Sequence, residues 1–200
     1  MKKILLVGAS GTLGSAVAQH LRQQHQVITA SRSDPLHSVD LGSDDSVIAL
    51  LQAVGPIDAI VATTGSVHFG PLPEMSTAQF AQGLHDKLLG QVRLALLGQH
   101  HLRDGGSITL TTGILTEQPI AQGANATSVN AAIEGFVRAA ALELPRGLRI
   151  NAVSPSVLSE ALDAYGDFFP GFEPVSAARA ALAYQRSIDG IANGQVFKVW

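Results

Sequence analysis

The chain of 200 residues contains no cysteine. That excludes disulfides, thiolate metal sites and a cysteine nucleophile, and it fits a reducing cytosol. Charge is scarce as well. Asp, Glu, Lys and Arg together make up 14% of the residues, against about 25% in an average soluble domain. The net charge is −3 and the 13 Lys and Arg are scattered, so the basic face of a nucleic-acid binder is absent. No apolar run approaches the roughly 18 residues of a membrane span. The apolar stretch behind Lys2 and Lys3 ends at Gly8, too soon for the apolar region of a signal peptide. The expected location is therefore cytoplasmic. The histidines do not converge at metal-ligand spacing (His20 and His25, then the adjacent His100 and His101), so no metal is expected. No Gly-x-Ser-x-Gly marks a serine hydrolase. What the chain does have is apolar residues, 46%, too many for disorder, and a length that suits one well-cored domain.

Short apolar runs alternate with helical periodicity. Residues 4–7 read as a strand buried on both faces, followed by a helix through Leu13, Val17 and Leu21. Further strands are expected at 26–30, 57–62, 107–112, 148–153 and 195–199. Ser43-Asp44-Asp45 opens a helix that Pro56 ends. Ser76 with Gln79 forms a capping box for a helix running to about residue 101. Asp104-Gly105-Gly106 reads as a turn. Residues 125–144 form a helix stopped by Pro145, and residues 175–187 form another. Strands alternating with helices imply parallel crossovers. The reading is α/β: a single domain over residues 1–200, a doubly wound parallel sheet of about six or seven strands with helices on both faces. Residues 159–174, with Tyr165, Phe168, Phe169 and Phe172, read either as a lid over a site or as a loop over a sheet edge.

The turn Gly8-Ala9-Ser10-Gly11-Thr12-Leu13-Gly14 follows the first strand and opens the first helix. The first glycine permits the tight turn, the second lets backbone approach a pyrophosphate, and the third lets helix and strand pack closely. The helix N-terminus adds free N–H groups for phosphates. This points to a dinucleotide. The second strand is followed by Ser31, Arg32 and Ser33, with no acid before Asp34. An acid there holds a ribose 2′-hydroxyl, whereas Arg suits a 2′-phosphate. Arg32 can make a forked, charge-assisted pair, and Ser10, Ser31 and Ser33 can donate hydrogen bonds. NADP(H) is expected in preference to NAD(H).

With those motifs in order along nearly the whole chain, the sequence resembles a short-chain dehydrogenase/reductase, a Rossmann-type fold. The resemblance implies that Asp40 and Leu41 contact adenine. It sets Ala62-Thr63-Thr64-Gly65 where the family has Asn-Asn-Ala-Gly. It matches Asn151-Ala152-Val153-Ser154-Pro155 to the family's Asn-x-Val-x-Pro, and so brings Pro155 to the cofactor. The family's proton chemistry uses a Ser, a Tyr-x-x-x-Lys pair and a helix Asn. Anchored on residues 131–135, the Tyr position falls on Ala126, the Lys position on Asn130, the Ser position near Gly113 and the helix Asn on Lys87. The usual acid/base set is thus missing.

Replacement chemistry is expected from Lys87, whose amine beside a cationic nicotinamide would have a lowered pKa. Thr112, with Thr111, ends a strand at the ligand-binding edge, and Asn130 can hydrogen-bond the nicotinamide ribose. Thr64, Ser66 and His68 share that edge. The expected activity is an NADP(H)-dependent oxidoreductase of a small carbonyl or alcohol. The alternative is a catalytically silent NADP(H)-binding sensor or regulatory protein. Residues 125–144 carry small or apolar side chains nearly all round, which implies burial on every side, by a second copy in a homodimer or by the chain's own lid.

Overall fold

A computed structural model describes residues 1–200. Six strands form one parallel sheet: β1 (Lys3–Val7), β2 (Gln26–Ala30), β3 (Ile57–Ala62), β4 (Leu102–Thr111), β5 (Arg149–Pro155) and β6 (Val196–Val199). Their spatial order is β2-β1-β3-β4-β5-β6. The order reverses between β1 and β3, so a crevice opens at the carboxyl ends of those two strands, the place where such sheets bind ligands.

Side chains alternate across the sheet and feed two cores. Ile4 and Leu6 pack with Val17, Leu21 and Tyr184 from α1 (Thr12–Leu21) and α7 (Ala177–Asp189). Leu5 and Val7 face the other way, toward α2 (Asp44–Val54), α4 (Gly90–Gly98) and α5 (Ala124–Glu143), where Leu51, Leu94 and Ile133 are buried. Capping residues set the helix starts. Ser43 accepts from the Ser46 N–H, Ser76 and Gln79 form the expected box at α3 (Thr77–Gly83), and Ser176 accepts from the Arg179 N–H.

Two local expectations change. Asp104-Gly105-Gly106 is no free turn but the irregular start of β4, where the register with β3 shifts between Ile57 and Ala59. Gly105 takes φ +74° there, a conformation that glycine adopts without penalty. The helix after Ser76 is not continuous to residue 101. A π-helical turn, Leu84–Leu89, joins α3 to α4, and α4 ends at Gly98. Within one chain α5 is buried along one face only: Ala126, Val129, Ile133 and Val137 are covered, while Ala131, Ala132, Ala139 and Leu142 are exposed.

Residues 159–168 form short helical turns, including α6 (Leu162–Tyr165), and residues 169–174 are turn and irregular chain. A bridge between Leu158 and Val175 closes their base. They lie over the loop after β3, with the Phe69 ring 5.9 Å from Tyr165 and 5.1 Å from Phe168.

Candidate active site

The glycine turn is built by close approach. Gly8 has φ +95°. A methyl group at Gly14 would overlap the Gly8 carbonyl oxygen and lie 2.6 Å from Thr63 Oγ1, whereas one at Gly11 would stand 3.6 Å from the nearest atom. Gly8 and Gly14 are therefore demanded by packing, whereas a side chain at Gly11 would meet only an ordinary contact. Thr63 ties the turn to the sheet, its hydroxyl donating to the Val7 carbonyl at 3.2 Å. These bare glycines at a helix start fit a pyrophosphate, whose oxygens take free N–H groups there.

A cleft of about 270 Å³ runs along the carboxyl ends of β1, β2 and β3, and Gly8, Ser10, Ser31, Arg32, Asp40, Leu41, Thr64 and Gly65 line it. Gly11, Thr12, Leu13 and Gly14 form the turn and helix start beneath it, and Ala62 and Thr63 close β3 behind it. Ser33 lies on a neighbouring groove. Pro155 ends β5 across the sheet, its carbonyl oxygen 3.8 Å from a methyl group placed at Gly113.

Residues 31–38 form a closed loop with Arg32 exposed near its base. Ser31 and Ser38 bridge, and the Ser38 hydroxyl donates to the Arg32 carbonyl at 3.0 Å. Asp34 is the staple of that loop. Its carboxylate accepts from the Leu36 and His37 N–H groups at 2.9 Å each and from the Thr29 hydroxyl at 3.3 Å, and the His37 bond leads in holding its pKa below the usual carboxylate value.

Lys87 sits on the π-helical turn. Gly65, at φ +121°, makes room for it, since a methyl group there would lie 2.5 Å from Lys87 Cβ and Cγ. Lys87 Nζ donates to Asn130 Oδ1 at 2.7 Å and to the Thr112 carbonyl at 3.4 Å. Loss of hydration in this setting lowers its pKa from 10.5 to about 8. The π-helical turn widens the helix where this side chain leaves it, and such turns cluster at functional sites.

Behind that pair lies a polar layer. The Thr112 hydroxyl donates to buried Glu134 at 3.2 Å, and Glu134 is 3.7 Å from Arg138. Gln91, absent from the expectations, donates to the Thr111 and Thr64 carbonyls at 3.0 and 3.3 Å and accepts from the Thr111 N–H at 2.8 Å. It clips the ends of β3 and β4 together. A polar residue four positions after Lys87 on an apolar helix was its only signal. Asn125 works similarly, donating to the Phe80 carbonyl at 2.6 Å and accepting from the His68 N–H at 2.9 Å.

Thr111 is not available to a substrate oxygen. Its hydroxyl donates to the Ala62 carbonyl at 2.5 Å and pairs with the Tyr184 hydroxyl at 2.6 Å. Tyr184 is fully buried, and burial pushes its pKa well above the ordinary tyrosine value. Of the two tyrosines, Tyr184 thus serves the core, and Tyr165 belongs to α6. Ala126, Ile114 and Leu115 form a small apolar cluster with Phe69, Phe169, Phe172 and Trp200 against it.

The family model described as Enoyl-(Acyl carrier protein) reductase matches residues 8–197. The solved structure of the protein lin1944 from Listeria innocua is 48% identical, covers 100% of both chains and superposes with a TM-score of 0.97. A small-chain dehydrogenase solved in complex with NADPH is 27% identical over 98% of this chain and 95% of that one, with a TM-score of 0.88. Among curated proteins, the Glucose and ribitol dehydrogenase homolog 2 of Arabidopsis thaliana is 27% identical over 141 residues. Versicolorin reductase stcU of Emericella nidulans is 26% identical over 182 residues. The chain covers 49% of the first of these and 69% of the second, while the matches take in 68% and 78% of the chain itself.

Proposed function

This chain belongs to the short-chain dehydrogenase/reductase family, and from that premise we propose that it is an NADP(H)-dependent oxidoreductase of a small carbonyl or alcohol, with Lys87 as its acid/base group. The observation that carries the reading is the bond from Lys87 Nζ to Asn130 Oδ1. The family resemblance sets a lysine at position 130 and an asparagine at position 87. Here the two have traded places, and the amine reaches the same meeting point from the opposite helix. Bound nicotinamide supplies or accepts the hydride. In the reducing direction the substrate oxygen takes a proton from the Lys87 ammonium, and the amine recovers its proton from water. Asn130 and the Thr112 carbonyl aim the amine, and Glu134 holds Thr112 in turn. A pKa near 8 suits a group that gives and takes protons near neutrality. The aromatics packed around Ala126, among them Phe69, Phe169 and Phe172, support a largely apolar substrate body.

Gly8, Gly11 and Gly14 with the start of α1 are assigned to the pyrophosphate, Asp40 and Leu41 to adenine, and Ser10, Ser31, Arg32 and Ser33 to the 2′-phosphate. Thr64, Gly65 and Pro155 flank the nicotinamide end. Support for NADP(H) comes from Arg32, which lines the cleft without a carboxylate partner, and from Asp34, whose carboxylate is engaged by the Leu36 and His37 N–H groups and the Thr29 hydroxyl. The outer face of α5 supports a homodimer. Between α4 and α5 a groove of about 330 Å³ is lined mainly by apolar residues, among them Leu96, Phe136, Ala139 and Leu144, and Leu96 and Leu142 stand 50% and 89% exposed. No helix is long and apolar enough to cross a membrane.

One observation favours a silent NADP(H) sensor instead. Ala126 is 2% exposed, and the Thr111 and Thr112 hydroxyls are engaged elsewhere, so Lys87 stands without a partner hydroxyl for the substrate. NADPH consumption across a panel of carbonyl compounds, run beside calorimetric binding, decides between them. Turnover that disappears in Lys87→Met supports the enzyme. Tight binding with no turnover on any compound supports the sensor.

A further inference from the structure

Beside the dinucleotide cleft lies a second groove, separated from it by the glycine turn and the end of β2. Its lining includes Ser10, Ser31, Ser33, Arg22, Thr29 and Asp34. Ser10 and Ser31 belong to both spaces, so the two are continuous around these hydroxyls. Arg22 is the C-cap residue of α1; it is exposed and pairs with no carboxylate. The side-chain hydroxyls of Ser10, Ser31 and Ser33 make no hydrogen bond within the chain, whereas those of Ser15 and Thr29 are spent on the Thr12 carbonyl and on Asp34.

We propose that this groove is the phosphomonoester subsite for the 2′-phosphate, and that Arg22, reaching back from the end of α1, is a specificity-determining residue of equal standing with Arg32. The proposal rests on the NADP(H) reading above and adds a residue and a location to it. A ribose 2′-phosphate leaving the cleft beside Ser10 and Ser31 enters the groove and meets three free hydroxyl donors. Arg22 lines this groove and Arg32 the adjoining cleft, so a dianionic phosphate seated at the shared Ser10 and Ser31 hydroxyls has one arginine on each side of the junction. Guanidinium–phosphate pairs are the charge-assisted, forked contacts that discriminate a phosphate from a hydroxyl. Asp34 is the opposing charge in the groove. Its Oδ1 accepts from the Leu36 and His37 N–H groups and its Oδ2 from the Thr29 hydroxyl, so the carboxylate is committed mainly to holding the loop, and its negative charge reduces the affinity for phosphate that the two arginines create.

Calorimetric titration of the intact protein with NADPH, NADH, adenosine 2′,5′-bisphosphate and adenosine 5′-monophosphate tests this without recourse to activity. Arg22→Gln is expected to weaken NADPH and the bisphosphate by on the order of tenfold, as loss of one charged hydrogen bond does, and to leave NADH and the monophosphate within about twofold. Asp34→Asn keeps an acceptor oxygen for the 34–37 loop and removes the charge, so it is expected to tighten NADPH and leave NADH unchanged. If Arg22→Gln leaves NADPH untouched while Arg32→Ala weakens it, Arg32 acts alone and the groove is not the subsite. Equal losses for NADPH and NADH in Arg22→Gln, or a lowered Tm with unchanged affinities, reduce Arg22 to a helix-end residue and overturn the proposal. Failure of the wild-type protein to bind any of the four removes the NADP(H) reading itself, a result distinct from the others.

Discussion

Lys87 and Asn130 meet between two helices, Nζ donating to Oδ1 at 2.7 Å, with the Thr112 carbonyl at 3.4 Å completing the amine's surroundings. Removing the amine while keeping the length of the side chain isolates its chemistry. Lys87→Met is expected to abolish turnover and leave NADPH affinity within about twofold, and unchanged turnover would remove Lys87 from the mechanism. The double variant Lys87→Asn, Asn130→Lys restores the family's order and is expected to recover part of the single variant's loss. In the wild type, reduction is expected to decline as pH rises through about 8, because the proton donor is then lost.

The same group makes stability pH-dependent. Its folded pKa of about 8 lies below its ordinary 10.5. Between these values the unfolded chain holds a proton that the folded chain has released, so stability rises with pH across that window. At lower pH both states are charged and the burial cost is fully present. Lys87→Met is therefore expected to be more stable than wild type at pH 7, by up to about 3 kcal/mol, and the gap is expected to narrow toward pH 10. Urea unfolding of the pair at several pH values measures it, and a gap that widens with pH would contradict the assignment.

The glycine turn separates packing from binding. Gly14→Ala forces a methyl group into the Gly8 carbonyl and is expected to cost about 1–3 kcal/mol in denaturant unfolding. Gly11→Ala meets only an ordinary contact at 3.6 Å. It should unfold like the wild type yet bind dinucleotide at least tenfold more weakly, an order-of-magnitude expectation from lost backbone approach. Comparable unfolding midpoints for both variants would show that the turn tolerates the methyl.

Arg32→Ala is expected to weaken NADPH by on the order of tenfold and NADH hardly at all. Equal losses for the two would place Arg32 away from the 2′-phosphate.

Ala139→Arg sets a charge on the exposed face of α5 beside the groove with α4. Sedimentation is expected to show a dimer for the wild type and a monomer for the variant. A wild-type monomer at micromolar concentration would leave that face without a partner in solution.

The parallel sheet was legible because continuous apolar runs such as Ile4 to Val7 alternate with 3.6-residue periodicity, and because Ser43, Ser76, Pro56 and Pro145 mark helix boundaries. Gly105 was misread because a glycine with positive φ serves an irregular strand start as well as a turn, and only pairing with β3 distinguishes them. The π-helical turn was invisible, since residues 84–89 keep helical propensity and the extra residue per turn is set by packing over Gly65. The motif matches named Lys87 and Asn130 singly. Their contact spans 43 positions and leaves no local pattern. Thr111 drew attention as an edge hydroxyl, but its partner Tyr184 lies 73 positions away.

The π-helical turn from Leu84 to Leu89 makes the position of the amine depend on chain length as well as on residue type. Hydrogen bonds reaching five residues back accommodate one residue more than an α-helix would. Deleting a single residue there would let α3 run into α4 as one regular helix, rotating everything before the deletion by about 100° relative to everything after it. The capping box at Ser76 and the core contacts of Leu94 could both survive with an intact sheet, while the amine would no longer point at Asn130. Chains of this design can therefore lose or gain the site by one insertion or deletion, with every residue of the pair still in place.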